Sequence, residues 1–162
     1  MSKPINKAKF TTSNLKDYIT LYEGERWKPL TDWEDRYLVS SKGRVFSIRH
    51  KKIMRPFVSN TGNGKYPKNR HQTICLCRNY HTVYKKLHSI IASEFLIKPE
   101  ADEEKGRLEL HHVNCDPTDN SVENLIWLYR QQHMQIHKLL RRFNRDLTLF
   151  EDSTTTTEDK SA

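Results

Sequence analysis

The sequence predicts an α+β fold, with small antiparallel strands in the amino-terminal half and a helix towards the carboxyl end. Three observations lead there. From Glu25 to Ile48 short apolar runs are separated by turn residues. The alternating stretches Gln72 to Cys77 and Thr82 to Leu87 flank Arg78-Asn79-Tyr80-His81, as the two arms of a hairpin would. From about Leu128 to about Asn144, Met134, Ile136, Leu139, Leu140 and Phe143 supply apolar surface while Arg130, Lys138, Arg141, Arg142 and Arg145 supply a basic one.

Taken in chain order, residues 1–25 read as an arm with one helical turn from Asn14 to Tyr22, capped at Ser13 or Asn14. Tyr37-Leu38-Val39 leads into a Ser40-Ser41-Lys42-Gly43 turn, and Arg44-Val45-Phe46-Ser47-Ile48 returns. Gly43 suits the positive φ of such a turn. Ile53 to Val58 reads as a further strand before the Asn60 to Gly64 loop. Cys75 and Cys77 alternate on a strand and so share a face; with no second cysteine pair to complete a metal site, they read as apolar core filling. A short helix begins at Ser89 and runs to Phe95, residues 98–107 are charged and loop-like, and the acidic stretch around Ser153 to Thr157 reads as a solvated tail.

Composition narrows the partners. The chain has 162 residues and a net charge of +8, but the last twelve hold four acids against one lysine, so the remainder carries +11. A body that basic expects a polyanion, nucleic acid being the commonest. No stretch is apolar for long enough to span a membrane, and the first residues lack a secretory apolar core. Three cysteines do not make a disulfide scaffold. These features place the protein inside a cell, with no membrane partner.

The chemistry is concentrated between Leu110 and His137. His111 and His112 are adjacent, and near a strand end successive side chains diverge, so one can turn to a metal while the other faces substrate. His133 and His137 lie one helical turn apart on one face, the spacing two ligands of one ion require. A metal-dependent hydrolase needs such a ligand set and one basic group left free to take a proton from water. His112 is the candidate base, and His111, His133 and His137 are the candidate ligands of one divalent ion. Asn124 suits a loop clasp because its amide donates and accepts at once, and Asn120 can help in the same way.

The run from Leu110 through His111-His112-Val113-Asn114-Cys115-Asp116-Pro117-Thr118-Asp119-Asn120-Ser121-Val122-Glu123-Asn124 to Trp127 resembles the core of the HNH endonucleases, above all the homing enzymes of phages and mobile introns. The three letters fall on His112, Asn124 and His133. Upstream, Leu87-His88-Ser89-Ile90-Ile91-Ala92-Ser93-Glu94-Phe95 is similar to a helix that precedes this core. The segments Trp27-Lys28-Pro29-Leu30 and Tyr37 to Val45 resemble a small module found ahead of the nuclease in homing enzymes. The resemblance implies an amino-terminal antiparallel β module followed by a ββα-metal core and a carboxy-terminal helix. The corresponding division is an arm (1–25), a β-rich DNA-recognition module (26–86), a nuclease core (87–146) and an acidic tail (147–162).

Four departures from the family pattern stand out, one of them Asn114 where Asp is frequent. His111 occupies a position that is Asp or Asn in many homing members, and His133 one that is commonly Asn; an all-imidazole set favours Zn²⁺, Ni²⁺, Co²⁺ or Mn²⁺ over Mg²⁺. Cys115 stands where Gly is usual and would be strained if the loop needs positive φ there. His88 matches a family position and reads as structural or phosphate-contacting; His50, His71 and His81 read as surface groups, and Trp127 as a core anchor.

Lys42, Arg44, Arg49, Lys51, Lys52, Arg55, Lys65, Lys68, Arg70, Arg78, Lys85 and Lys86 are candidates for tracking the phosphates of double-stranded DNA. The sequence thus points to a site-specific, metal-dependent homing endonuclease, placed in the cytoplasm of a bacterial host if a phage encodes it. Its rivals are a zinc-stabilised DNA-binding protein without catalysis and a low-specificity or RNA-directed nuclease. A monomer would nick one strand, whereas a homodimer could cut both.

Overall fold

The computed structural model describes residues 12–58 and 71–154, with side chains described over 13–58 and 71–144. Two compact units are present, one built from residues up to 99 together with 110–126, the other from 100–109 together with residues from 127 onward. Among the described residues no helix is long and apolar enough to cross a membrane.

In the first unit, β1 (Trp27–Pro29), β2 (Tyr37–Ser40), β3 (Val45–Ser47) and β4 (Lys52–Ile53) form an antiparallel sheet in that order. Every residue of β2 and β3 is buried, because both faces of this sheet are covered. Strand alternation sends Leu38 and its cross-strand partner Phe46 to one face, where Leu15 seals them. Tyr37, Val39 and Val45 go to the other, the main core, with Ile74, Leu76, Leu87, Ile90 and Ile91. The arm therefore does more than precede the module. Its helical turn is a 3-10 helix, Thr12–Asp17, lying earlier than the reading from Asn14 to Tyr22, and it delivers a fully buried leucine.

A second sheet holds β5 (Phe57–Val58), β6 (Gln72–Arg78) and β7 (His81–Lys86). The expected single strand from Ile53 to Val58 is divided between the two sheets: Ile53 pairs with Phe46, and Phe57 pairs with Thr73. Pro56, which has no N–H to contribute to a ladder, lies in the break. The β6–β7 hairpin is tighter than its sequence suggested. Its ladder extends to Arg78 opposite His81, leaving Asn79 and Tyr80, both at positive φ, as a two-residue turn. The strand phase corrects the cysteine reading: Ile74 and Leu76 enter the core, whereas Cys75 is half-buried and Cys77 exposed. Alternate positions compete for one core face, and the larger aliphatic side chains occupy it.

Helix α1 (Leu87–Phe95) begins two residues before the expected Ser89 and buries Leu87, Ile90 and Ile91, an i, i+3, i+4 stripe, against the main core. Strand β8 (Leu108–His112) pairs with β9 (Leu125–Tyr129), and a 3-10 turn, Val122–Asn124, closes the loop between them. In the first unit Val113 N–H donates to Asn124 O at 2.8 Å; in the second Arg130 N–H donates to Arg107 O at 3.0 Å. Helix α2 (Arg130–Thr154) runs ten residues past the expected end at Asn144. No Gly or Pro interrupts the chain from 130 to 154, so the sequence contains no stop signal there. Part of the expected tail is thus helical, and residues 155–162 lie outside the described region.

Arg44 was a DNA-binding candidate, but its guanidinium is engaged inside the first unit. Arg44 Nε donates to Glu25 Oε1 at 2.8 Å, a second guanidinium nitrogen donates to Glu25 and to Thr20 O, and the group lies over the Tyr22 and Trp27 rings. The Glu25 side chain is fully buried. Burial alone would raise its pKa, but hydrogen bonds from Arg44, Ser40 and the Tyr22 N–H outweigh that and lower it. Glu25→Ala would leave a largely buried cation unpaired and should cost about 3–5 kcal/mol in denaturant unfolding. Because the folded pKa is depressed, the stabilisation is complete above the ordinary value of 4.5 and is lost as pH falls below it. Unfolding measured at neutral and acidic pH should therefore show the gap between wild type and Glu25→Ala narrowing in acid.

Candidate active-site loop and metal ligands

The twelve-residue loop from Val113 to Asn124 carries few apolar anchors, so polar contacts must hold it. Asn124 is buried and acts as a clasp: its Oδ1 accepts from Asn114 N–H at 2.9 Å, and its Nδ2 donates to Asn114 Oδ1 at 2.9 Å and to Asp119 O at 2.8 Å. Cys115 does sit at positive φ, +59°, the conformation in which glycine would be unstrained. Trp127, expected as a core anchor, is half-buried.

Residues of the amino-terminal module grip the same loop. Val122 N–H donates to Ser41 O at 2.8 Å, and Lys42 pairs with Glu123 at 3.1 Å. Gly43 lies against Asn120 so closely that a Cβ there would meet the Asn120 carbonyl carbon at 2.8 Å, and its φ is +73°. Both the space and the backbone conformation thus require glycine.

His112, at the end of β8, is buried and points its Nε2 at Asn120 Oδ1, 3.3 Å away. Asn120 Nδ2 donates to Gln72 Oε1 at 2.9 Å and to Thr118 O at 3.0 Å. A backbone carbonyl can only accept, so the amide orientation is settled and Oδ1 faces the imidazole. His112 must therefore carry its proton on Nε2, which leaves the Nδ1 lone pair for a base or a ligand.

Two further histidines surround it. The His71 and His88 ring centroids are 4.6 Å apart, and each lies 5.3 Å from the His112 ring. His71 is thus half-buried in this cluster and not the surface group its sequence context suggested. His50 and His81 are exposed, as expected. Burial first, then the neighbouring His71, His112 and Lys86, pushes the His88 pKa down to about 3, and burial followed by His112 and Lys86 lowers that of His71.

In the second unit, His133 and His137 project from the first two turns of α2 with their Nε2 atoms 3.0 Å apart. His133 Nδ1 is 2.7 Å from Glu109 Oε2. Glu109 is held in turn by Arg107 Nε at 2.8 Å and Arg130 Nη1 at 3.0 Å. The hydrogen bond with His133, then the arginines, outweighs burial and holds the Glu109 pKa at about 2. The ionised carboxylate accepts the His133 Nδ1 proton, so the His133 Nε2 lone pair faces His137. His137 stays neutral more readily than usual, its pKa lowered by burial and by His133 and Arg141. Two imidazole nitrogens this close suit one shared transition-metal ion, whose tetrahedral ligands stand about 3.3 Å apart at Zn–N distances of about 2.0–2.1 Å. His111 is buried in the first unit, two positions beyond Glu109 along β8.

Sequence reading missed Glu109, although its place two residues before His111, beside Arg107, was a usable signal. Nothing local marked His71 or Gly43 as neighbours of this loop. Among the basic candidates, Lys51, Lys52, Arg55 and Lys85 are exposed; Lys86 is half-buried and Arg78 pairs with Asp35 at 3.1 Å. Lys65, Lys68 and Arg70 lie outside the described residues.

In the first unit a β-rich module thus grips a strand and loop that present His111, His112 and the clasping Asn124. The NUMOD4 motif matches residues 25–83. An uncharacterized HNH endonuclease of Acanthamoeba polyphaga mimivirus is 28% identical over 127 residues, covering 77% of this chain and 28% of the viral protein. The HNH homing endonuclease I-HmuI, from a structure described as showing DNA binding and cleavage, superposes with a TM-score of 0.55 at 23% identity, over 72% of this chain and 59% of its own. The chain thus spans under a third of the viral relative and about three-fifths of the solved one. It matches the NUMOD4 motif, is similar to part of a viral protein named an HNH endonuclease and shares its fold with the solved HNH homing endonuclease.

If the module positions the loop through Gly43, then Gly43→Ala should cost about 1–3 kcal/mol, from strained φ and the clash with Asn120. In a double-mutant cycle with Asn120→Ala the two costs should be markedly less than additive. Additive costs would separate Gly43 from the loop.

Proposed function

We propose that this protein is a metal-dependent DNA endonuclease of the homing type, with His112 as general base and His111, His133 and His137 as the ligands of one divalent ion. The observation that carries the reading is the His133–His137 pair, two imidazole Nε2 atoms 3.0 Å apart with one ring locked by Glu109. His111 shares a strand face with Glu109, since alternate residues of β8 point the same way, and this supports its inclusion. The donor set fits Zn²⁺, Mn²⁺, Co²⁺ or Ni²⁺ better than Mg²⁺.

When bound, the ion supplies Lewis-acid stabilisation of the phosphate and of the departing 3′ oxygen. His112 takes a proton from water at Nδ1 as the water oxygen attacks phosphorus, while Asn120 keeps the ring's other nitrogen protonated and the ring in place. Asn124 holds the loop that frames this chemistry. Glu109 orients His133 and holds its Nδ1 proton. Exposed Lys51, Lys52, Arg55 and Lys85, with Lys65, Lys68 and Arg70, would track the phosphates of the duplex, with residues 26–86 as the recognition module. Arg44 is held by the buried Glu25 carboxylate, which supports giving it a structural role, while Lys42 and Arg78, in exposed pairs, stay with Lys86 among the residues that would track phosphates.

Metal-stripped protein incubated with long duplex DNA should cut only after Mn²⁺, Zn²⁺ or Mg²⁺ is restored. His112→Ala should lose at least about 100-fold in rate while retaining metal and DNA binding. Discrete fragments would indicate a specific site, and nicks against double-strand breaks would distinguish monomer from homodimer action. Retained DNA and metal binding without cutting by the wild type would instead favour a zinc-stabilised binding protein. Glu109→Gln, which keeps the shape but removes the charge, should weaken metal binding about 10–100-fold by calorimetry; unchanged affinity would remove Glu109 from the site.

A further inference from the structure

We infer that His71, His88 and His112 form a second transition-metal site, separate from the His133–His137 pair, and that Zn²⁺ or a similar ion bound there silences the enzyme by occupying His112. The three residues come from different elements of the first unit: His71 from the segment before β6, His88 from the first turn of α1 and His112 from the end of β8. One ring nitrogen from each lies within 4.8 Å of the others.

The ring positions suit a common ion. Three imidazoles bound tetrahedrally at Zn–N distances of about 2.0–2.1 Å place their centroids about 5 Å apart. Here the separations are 4.6, 5.3 and 5.3 Å, so side-chain adjustments of about 1 Å or so would bring the nitrogens to ligand spacing. His88 Nδ1 is buried with no hydrogen-bond partner among the described residues, an arrangement a metal bond would satisfy. The hydrogen bond to Asn120 leaves His112 with its lone pair on Nδ1. Three imidazoles with a fourth position for water make a His₃ set, which prefers borderline transition metals and discriminates against Mg²⁺ and Ca²⁺.

Binding follows from this geometry alone, whereas its effect on cutting rests on His112 being the base. An ion on Nδ1 takes the lone pair that would accept the proton from water. Excess Zn²⁺ should then inhibit cutting supported by another metal.

The test uses the His133→Ala/His137→Ala double variant, in which the other proposed site is disabled. Titrated with Co²⁺, the full-length double variant should bind one equivalent with the intense visible absorption of tetrahedral coordination, and Zn²⁺ should displace it. Adding His71→Gln or His88→Gln should weaken binding at least about tenfold, whereas His50→Gln should not. Circular dichroism melts verify folding, and the two substitutions lie in different elements, so either folded variant suffices. No Co²⁺ bound by the double variant, or binding indifferent to both His71→Gln and His88→Gln, would overturn the site. In the otherwise wild-type protein, Zn²⁺ should inhibit Mn²⁺-supported cutting, and His71→Gln should resist it; equal inhibition of both would overturn the regulatory part. A wild type that fails to cut with any of the metals supplied would sink the nuclease reading and the regulation with it, while the Co²⁺ titration would still decide the site.

Discussion

The loop between β8 and β9 depends on Asn120. A long connection between two strands, poor in apolar side chains, has no core of its own, and the hydrogen bonds made by one asparagine tie this one to the module beneath it. Its amide nitrogen reaches Gln72 and Thr118 while its oxygen meets His112, and Gly43 leaves only enough space for its backbone. A single neutral hydrogen bond contributes only about 1 kcal/mol net, but leaving such a buried group unpaired costs more. The importance of this junction lies in orientation, since the same amide that holds the loop also determines which nitrogen of His112 carries the proton.

A comparable device operates around His133. Glu109, held ionised by hydrogen bonds from the imidazole and two arginines, keeps a proton on Nδ1 and directs the Nε2 lone pair outward. Each histidine proposed for chemistry is thus set by an oxygen acceptor of a different kind, a neutral amide for His112 and a carboxylate for His133. The difference is chemically sensible. A carboxylate raises the basicity of the imidazole that donates to it, while a neutral amide orients a ring without adding a charge beside it.

The amino-terminal module supports the loop that carries Asn120 and Asn124. Its sheet is covered on both faces, by Leu15 on one and by α1 on the other, which fixes the Ser40 to Arg44 turn as a rigid support. From that turn Ser41, Lys42 and Gly43 contact the loop between β8 and β9, and Arg44 anchors Glu25. The dependence of the loop on these contacts gives a physical reason for the two sequence blocks to occur together in one chain.

Much of this was legible from residue order, because helix and strand periodicities are local. His133 and His137 had to share a helix face, Asn124 had the amide a clasp requires, Gly43 had to close a turn, and Gln72 to Leu87 had to form a hairpin. Less legible was anything that depends on which face of an element finds a partner. Alternation showed that Cys75 and Cys77 face together, but only the presence of α1 across the sheet decided that Ile74 and Leu76 were the inward pair. Arg44 looked like any other cation until burial of Glu25 claimed it. His71 looked like a surface residue because no short-range pattern ties it to His88 or to His112, some forty positions away. The sequence by itself determined the chemical groups and their local spacing, through backbone periodicity. Tertiary structure alone decided which distant side chains meet, because those meetings follow from how the sheets, α1 and the loop pack on one another.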